Sequence, residues 1–257
     1  RKLVNNGVRE LILIAQDLSN YGIDLYQKSA LPDLLEKLVT IEGLEWIRLH
    51  YAYPTGFPEK VIDLMASHEK ICNYLDIPIQ HVNDGILKAM GRGHDRKKLE
   101  QLLDKFRIQI PDVALRTTVL TGFPGEDEAA FDELMDFLTI FRFDRLGIFP
   151  YSHEEDTPAY RKYQDQVPDK IKAKRAEAVM ELQQEISLQL NHQRVGKTFK
   201  VLIDREENGY FIGRTQYDSP EVDNEVLIDG ALQLNIGDFY QVKITGAEEF
   251  DLYGSVE

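Results

Sequence analysis

The feature that most constrains this chain is a change of hydrophobic period near residue 193. Before it, short apolar runs alternate with stretches of helical spacing. After it, from Val195 to Glu257, apolar and polar residues alternate one by one. A 3.6-residue period and a two-residue period cannot belong to one kind of element. The chain is therefore expected to form two units, 1–192 and 193–257.

In the first unit the apolar runs are Glu10–Ala15, Glu45–Tyr51, Tyr74–Ile79, Ala114–Leu120 and Leu146–Pro150. Ile12, Leu13 and Ile14 are consecutively apolar, as a strand buried on both faces of a parallel sheet requires. Helical spacing fills the gaps, at Asp33–Thr40, Glu59–Ser67, Arg96–Ile108 and residues 127–142. In the last of these Phe131, Leu134, Met135, Leu138 and Phe141 share a face. Such alternation implies right-handed βα units around a parallel sheet. The helix patterns do not choose between a barrel and a doubly wound sheet. Residues 169–192 read as one long charged helix with Ile171, Val179, Leu182, Ile186 and Leu190 as its stripe. The second unit, with turns at Asn208-Gly209, Asp229-Gly230 and Ile236-Gly237-Asp238, reads as about five short antiparallel strands in an OB-like barrel. Arg1–Gly7 resembles the end of a helix running straight into the first strand. The expectation is a partial barrel lacking its first strand, the C-terminal part of something longer.

Charge and cysteine usage exclude several classes. The 257 residues carry 44 acidic and 30 basic side chains, a net charge of −14. Residues 193–257 hold 6 Lys/Arg against 13 Asp/Glu, so a quarter of the chain carries half of that charge. This favours a basic partner over nucleic acid. A single cysteine, Cys72, excludes a disulfide framework and a multi-cysteine metal site made by these residues alone. It precedes an expected strand and reads as a buried, inert thiol. No apolar run is long enough for a transmembrane helix. There is also no P-loop, dinucleotide glycine fingerprint or Ser-His-Asp signature.

Ligands of parallel α/β folds sit at the C-terminal ends of strands, and here those ends are polar. The first ends in Gln16, Asp17 and Ser19. The second carries Arg48 and His50 and continues into Tyr51-Ala52-Tyr53-Pro54. The third ends in Gln80-His81, the fourth holds Arg116 and Thr118 and finishes in Gly122-Phe123-Pro124-Gly125-Glu126, and the fifth ends at Tyr151. The Gly122–Glu126 turn suits close approach of backbone to a polar ligand, but on spacing alone an ordinary turn capping the next helix is the better reading. A similar Gly56-Phe57-Pro58-Glu59 supports the second reading. His81 is more often a hydrogen-bonded structural group than a base. Arg48 and Arg116 lie inside apolar strands and need either an internal carboxylate, for which Asp76 is the obvious candidate, or a bound ligand.

Together, Leu13–Asp17 with Ser19–Asp24, Asp76–His81, Ile86–Arg92 and Leu115–Glu126 resemble the radical S-adenosylmethionine (SAM) methylthiotransferases, and most closely the branch that modifies an aspartate of ribosomal protein S-twelve. Val195–Lys197, Gly213–Thr215 and Pro220–Asp223 resemble that family's TRAM domain. The resemblance implies a partial parallel (β/α) radical-SAM barrel followed by the small barrel. It implies a transferase that adds a β-methylthio group in the cytoplasm, using S-adenosylmethionine and two four-iron four-sulfur clusters. It assigns Gln16, Asp17, Ser19, Gln80, Arg116, Thr118 and Gly122–Glu126 to S-adenosylmethionine. Arg48, His50, His81 and Tyr151 would line the site or meet substrate. The family's Cys-x3-Cys-x2-Cys loop is absent from these residues, and Cys72 matches none of its ligands. Clusters need thiolates, so none is expected on this fragment, which alone is expected to be inactive.

A sister branch modifies adenosine in transfer RNA. An RNA-binding barrel should be basic, and this one is acidic, so the basic ribosomal protein is the expected partner, with the chain acting as a monomer. Two other classes stay open on the residues alone. One is a non-catalytic protein-binding module. The other is an ordinary barrel lyase or aldolase, which would need a lysine or metal at strand ends.

Overall fold

The computed structural model describes residues 1–257. Its first unit runs α1 (Lys2–Asn5), β1 (Glu10–Leu13), a 3-10 turn (Leu18–Asn20), α2 (Ile23–Tyr26), α3 (Leu31–Val39), β2 (Trp46–Leu49), α4 (Glu59–Ser67) and β3 (Ile71–Asp76). It continues through α5 (Asp84–Ala89), α6 (Arg96–Gln109), β4 (Ala114–Thr121), α7 (Glu128–Phe141), β5 (Arg145–Pro150), α8 (Pro158–Lys162) and the 24-residue α9 (Asp169–His192). Side chains of Asn83, Asp95 and Asp127 accept the orphan amides that open α5, α6 and α7.

The five strands are all parallel and stand in the order β1-β2-β3-β4-β5. A doubly wound sheet reverses its strand order partway; this one never does. Strand order, which helix periodicity could not supply, therefore decides for barrel-type winding. One sheet face carries Leu13, Leu49, Leu75, Leu115 and Val119 into the main core beneath α3, α4, α6 and α7. The opposite, inner face carries Glu10, Arg48, Tyr74, Arg116 and Arg145.

β3 starts at Ile71, earlier than the apolar run suggests, because polar Asn73 interrupts the pattern. Cys72 is thus inside a strand rather than before it. β3 also stops at Asp76, where Pro78 removes a ladder donor.

The second unit comprises β6 (Thr198–Glu207), β7 (Tyr210–Arg214), β8 (Glu225–Asp229), β9 (Phe239–Ala247) and β10 (Asp251–Val256), closed in the order β10-β8-β7-β6-β9. Four of its pairings are antiparallel and β8–β10 is parallel. A closed ring with an odd number of strands cannot alternate direction all round, so one parallel pair is unavoidable. Val201, Ile203, Phe211, Val226, Ile228, Val242, Ile244 and Leu252 fill it.

The barrel packs on the lower half of the sheet's inner face. Trp46, Cys72, Tyr74 and Ala114 meet Leu202 and Tyr217, with Phe199 and Phe239 at the margin. The 215–224 loop adds polar contacts. Arg145 Nε donates to Asp218 Oδ1 at 2.9 Å, Tyr74 donates to Asp223 at 2.7 Å, and Tyr217 donates to Asp112 at 2.5 Å. Glu10 is shared by Arg48 and Arg214. Burial alone would raise the Glu10 pKa, but those two guanidiniums hold it below the ordinary carboxylate value.

Candidate functional site

Above the barrel, at the C-terminal ends of the strands, the inner face is open. Ile14 and Phe149 are exposed there. A cavity of about 330 Å³ lies among Gln16, Gln80, Arg116 and Thr118, four residues that the family resemblance assigns to S-adenosylmethionine. It suits a small molecule with one apolar and several polar groups.

The wall is built by two turns that hold non-glycine residues in the left-handed region. Tyr51 has φ 55° and Gln80 φ 67°. Each such residue costs of order 1 kcal/mol or more and persists only where its surroundings over-determine it. For Tyr51 they do. Its carbonyl accepts from Leu18 N–H at 3.0 Å, its own N–H meets Asp76 Oδ2 at 3.3 Å, and the next amide, of Ala52, donates to the Asp76 carbonyl at 2.9 Å. For Gln80, the N–H donates to the Thr118 carbonyl at 2.9 Å and the carbonyl accepts from Leu120 N–H at 2.8 Å. Main-chain pairing to β4 therefore fixes Gln80 beside Thr118.

Arg116 forms the floor. Its Nη1 donates to Asp76 Oδ1 at 2.9 Å, and its Nε lies 3.3 Å from Asp223 Oδ1 of the barrel loop. Burial would lower its pKa, but the two carboxylates more than offset this and raise it. The internal carboxylate that the sequence named is thus confirmed for Arg116, and a second one comes from the other unit.

Other expected site residues lie elsewhere. Arg48 is fully buried, with its Nε on Glu10 at 2.9 Å and its Nη1 on the Gln216 carbonyl at 2.7 Å. It is satisfied by the chain itself, below the cavity. His50 Nε2 lies 2.9 Å from Ser219 Oγ, so it too engages the barrel. Burial, with the charges of Arg48 and Arg116, pushes its pKa below 6.5 against the pull of Asp76. His81 is wholly buried. Its Nδ1 accepts from Asn83 N–H at 3.0 Å, which leaves the proton on Nε2, 3.4 Å from Glu126.

Glu126 in turn accepts from Arg175 of α9 at 2.7 Å. A Cβ on Gly122, at φ 78°, would stand 2.2 Å from Lys172 Cγ, so the backbone here approaches α9 closely enough to require glycine. Phe123 packs on Ile86, Ala130 and Tyr151, and Pro124 and Gly125 line a separate hollow beside Tyr163. The Gly122–Glu126 turn anchors a helix, and Tyr151, whose hydroxyl meets His153 Nδ1 at 2.9 Å, belongs to that anchor. Asp17 accepts the Ser19 amide at 3.0 Å and so caps its own turn, with Ser19 buried behind it.

Sequence reasoning missed Tyr53, Arg92 and Phe149, which also line the cavity. The available signal was proximity in sequence: Tyr53 and Arg92 sit within stretches already singled out, but nothing in spacing turns a side chain into a cavity wall.

Cys72 does not suit a metal. It is fully buried, and burial pushes its thiol up to about 11 even beside Arg48. No group of three or more His, Cys, Asp or Glu is placed to hold an ion. An iron–sulfur cluster does not fit these residues.

Comparison with known proteins agrees with this architecture. The radical SAM superfamily profile matches residues 1–138, and the TRAM domain profile matches residues 195–256. The chain is 56% identical over 254 residues to the ribosomal protein uS12 methylthiotransferase RimO of Christiangramia forsetii, covering 98% of this chain and 56% of that one. It is 55% identical over 253 residues to the protein of that name from Flavobacterium psychrophilum, covering 98% and 58%. The chain thus spans just over half the length of these relatives. Among solved structures, coproporphyrinogen III oxidase (HemN) from Escherichia coli, a radical SAM enzyme, superposes with a TM-score of 0.52 at 16% identity, over 82% of this chain and 51% of that one. That likeness shows the fold. With its profile covering more than half of the residues, the chain belongs to the radical SAM superfamily and carries a TRAM domain behind the barrel sheet.

Proposed function

We propose that this chain carries the S-adenosylmethionine cavity and the substrate-docking barrel of a methylthiotransferase that adds a β-methylthio group to an aspartate of ribosomal protein uS12. The observation that carries the reading is 56% identity, over 98% of the chain, to a protein of that name. The division of labour follows the two periods of the sequence, with residues 1–192 holding the nucleoside and residues 193–257 the protein. Clusters need thiolate ligands, and the one cysteine here, buried Cys72, does not supply them.

S-adenosylmethionine, when bound, is the source of the methyl group and of the hydrogen-abstracting radical. The chain's own residues bind and orient it. Tyr51, Tyr53 and Phe149 line the cavity and give the base aromatic surface to pack against. Gln16, Gln80 and Thr118 offer amide and hydroxyl groups to its polar edge. Arg116, fixed at two points, keeps the floor rigid. A ribosomal substrate places the work in the cytoplasm; no helix of the chain is long and apolar enough to cross a membrane.

The acidic second unit favours a basic protein over transfer RNA, because RNA affinity depends on neutralising phosphates. Titration of the chain with purified uS12 should show binding that weakens steadily as salt rises. Binding that ignores salt, or that is tighter for transfer RNA, sinks the substrate assignment. The isolated chain should turn over no substrate.

A further inference from the structure

Next to the strand-end cavity lies a second one, of about 270 Å³, where the free edge of the sheet meets the second unit. β5 is the last strand of that sheet and has no neighbour beyond it. Gly147 of β5, Gln183 and Ser187 of α9, and the barrel loop from Glu221 to Asn224 enclose the space. Arg116 lines both cavities. Along β5, Gly147 faces the second cavity and Phe149 the first. Two residues of extended chain, about 7 Å, therefore separate them.

The charges around this second cavity do not cancel. Arg116 and Arg145 line it, but the chain satisfies both: Arg116 through Asp76 and Asp223, Arg145 through Asp218 and the Asp144 carbonyl. Arg194 lies 3.6 Å from Asp218 and 3.9 Å from Asp144. Glu221, exposed at the rim, meets no cation. Asp76, Asp144, Asp218, Asp223 and Glu221 thus face Arg116, Arg145 and Arg194, five carboxylates against three guanidiniums. Polar capacity is also left unused. The Asp223 side chain is 1% exposed, yet its Oδ1 accepts no hydrogen bond, with Arg116 Nε standing 3.3 Å away. Asn224 is 3% exposed, and its Nδ2 has no partner. Groups buried in this way are costly unless something entering the cavity completes them. Burial and the Asp218 charge raise the Asp223 pKa, and a cation beside it would offset both.

What enters must bring positive charge to Asp223 and Glu221 and an acceptor to Asn224. A lysine or arginine within a peptide brings both, since its side chain donates to carboxylates and its main-chain carbonyl accepts from an amide. Its methylenes find apolar cover in Val222 and Phe250, exposed at the mouth.

We propose that this second cavity is a specificity pocket for a cationic side chain of the substrate protein. The spacing of the two cavities places that lysine or arginine within about three residues of the residue presented to the strand ends. The inference rests on the reading given under Proposed function, in which the presented residue is an aspartate of uS12.

The test is a double-mutant cycle, read by calorimetric titration of the 257-residue chain with uS12 at constant salt. The chain carries Glu221→Gln or Asp223→Asn, each checked for native circular dichroism and melting. Asp223 also holds Tyr74, so Glu221→Gln at the exposed rim decides the matter if Asp223→Asn does not fold. In uS12, each lysine or arginine within three residues of the target aspartate is replaced in turn by glutamine. Binding should weaken about threefold for Glu221→Gln and about tenfold for Asp223→Asn. One uS12 replacement should weaken binding to the wild-type chain by a similar factor and weaken binding to the variants little further, because the pair is already broken. Fully additive losses mean that the cation sits elsewhere, and overturn the proposal. So does binding that neither chain variant changes. Either result leaves uS12 as the substrate. A wild-type chain that does not bind uS12 overturns the substrate reading itself, and this inference with it.

Discussion

The lower and upper halves of one sheet face do different work. Below, Arg48, Arg145, Tyr74 and Trp46 are sealed against the barrel, and each charged group there meets an opposite charge or a carbonyl. Above, the same strands end in an open cavity with strained backbone at Tyr51 and Gln80 and one unpaired cation at Arg92. β4 and β5 supply both halves, with Ala114 and Arg145 against the barrel and Arg116, Thr118 and Phe149 lining the cavity. The difference shows that an inward-pointing arginine in such a strand is no sign of a ligand by itself. What matters is whether the chain supplies its partner.

The sharpest way to break this comparison is to damage the lower half. Arg145 is buried against Asp218, whose own pKa burial would raise but which Arg145 and Arg194 hold low. Arg145→Ala leaves that carboxylate buried with a poorer partner, at 3.6 Å from Arg194. The expected cost is about 3–5 kcal/mol in urea unfolding, as for other broken buried pairs. Nucleoside affinity, measured on the molecules that remain folded, should not change. A mutant of unaltered stability would show that the barrel loop is not a structural plug.

The upper half should respond in the opposite sense. Gln80→Gly removes the amide offered to the cavity and relieves the left-handed strain of a non-glycine residue. The relief is offset by the extra freedom glycine has in the unfolded chain, about 0.4–1 kcal/mol. Stability should therefore stay within about 1 kcal/mol of wild type. Binding of S-adenosylhomocysteine should weaken by about five- to tenfold, the loss expected for one hydrogen bond of ordinary strength. A large loss of stability with intact binding would reverse the roles assigned to the two halves.

Much of this was legible in the sequence, and the unread part has a common cause. The two units, the parallel strands, the long α9 and the small barrel all follow from hydrophobic period, which is a local property. Gln16, Gln80, Arg116 and Thr118 share one cavity because strand ends in such folds converge. The partners of Arg48, His50 and Glu126, which are Gln216, Ser219 and Arg175, lie 49 to 169 positions away in the chain, and no spacing rule reaches them. Gly122 is the clearest lesson: the glycine marks a close approach, and the group that approaches, Lys172, lies 50 positions away.

The smallest expected effect probes the seam between the halves. His50 bridges them, with Ser219 of the barrel at 2.9 Å and Asp76, Arg48 and Arg116 as its charged neighbours. Its folded pKa lies below 6.5, chiefly through burial, so the folded state binds a proton less readily than the unfolded one. Stability from this group is present above pH 6.5 and is lost as pH falls from there through the folded pKa. Asp223, whose pKa burial raises, works in the other direction, since its protonation at lower pH relieves a buried charge. The wild-type profile alone therefore mixes the two. The difference between wild type and His50→Gln isolates the histidine, because glutamine can still hydrogen-bond Ser219 and cannot titrate. Urea midpoints measured between about pH 5 and 7.5 should fall with pH more steeply in wild type than in the variant, with the gap opening below the ordinary histidine pKa. Parallel profiles would mean that His50 carries no load at the seam, and that the barrel is held to the sheet by the deeper arginine pairs alone.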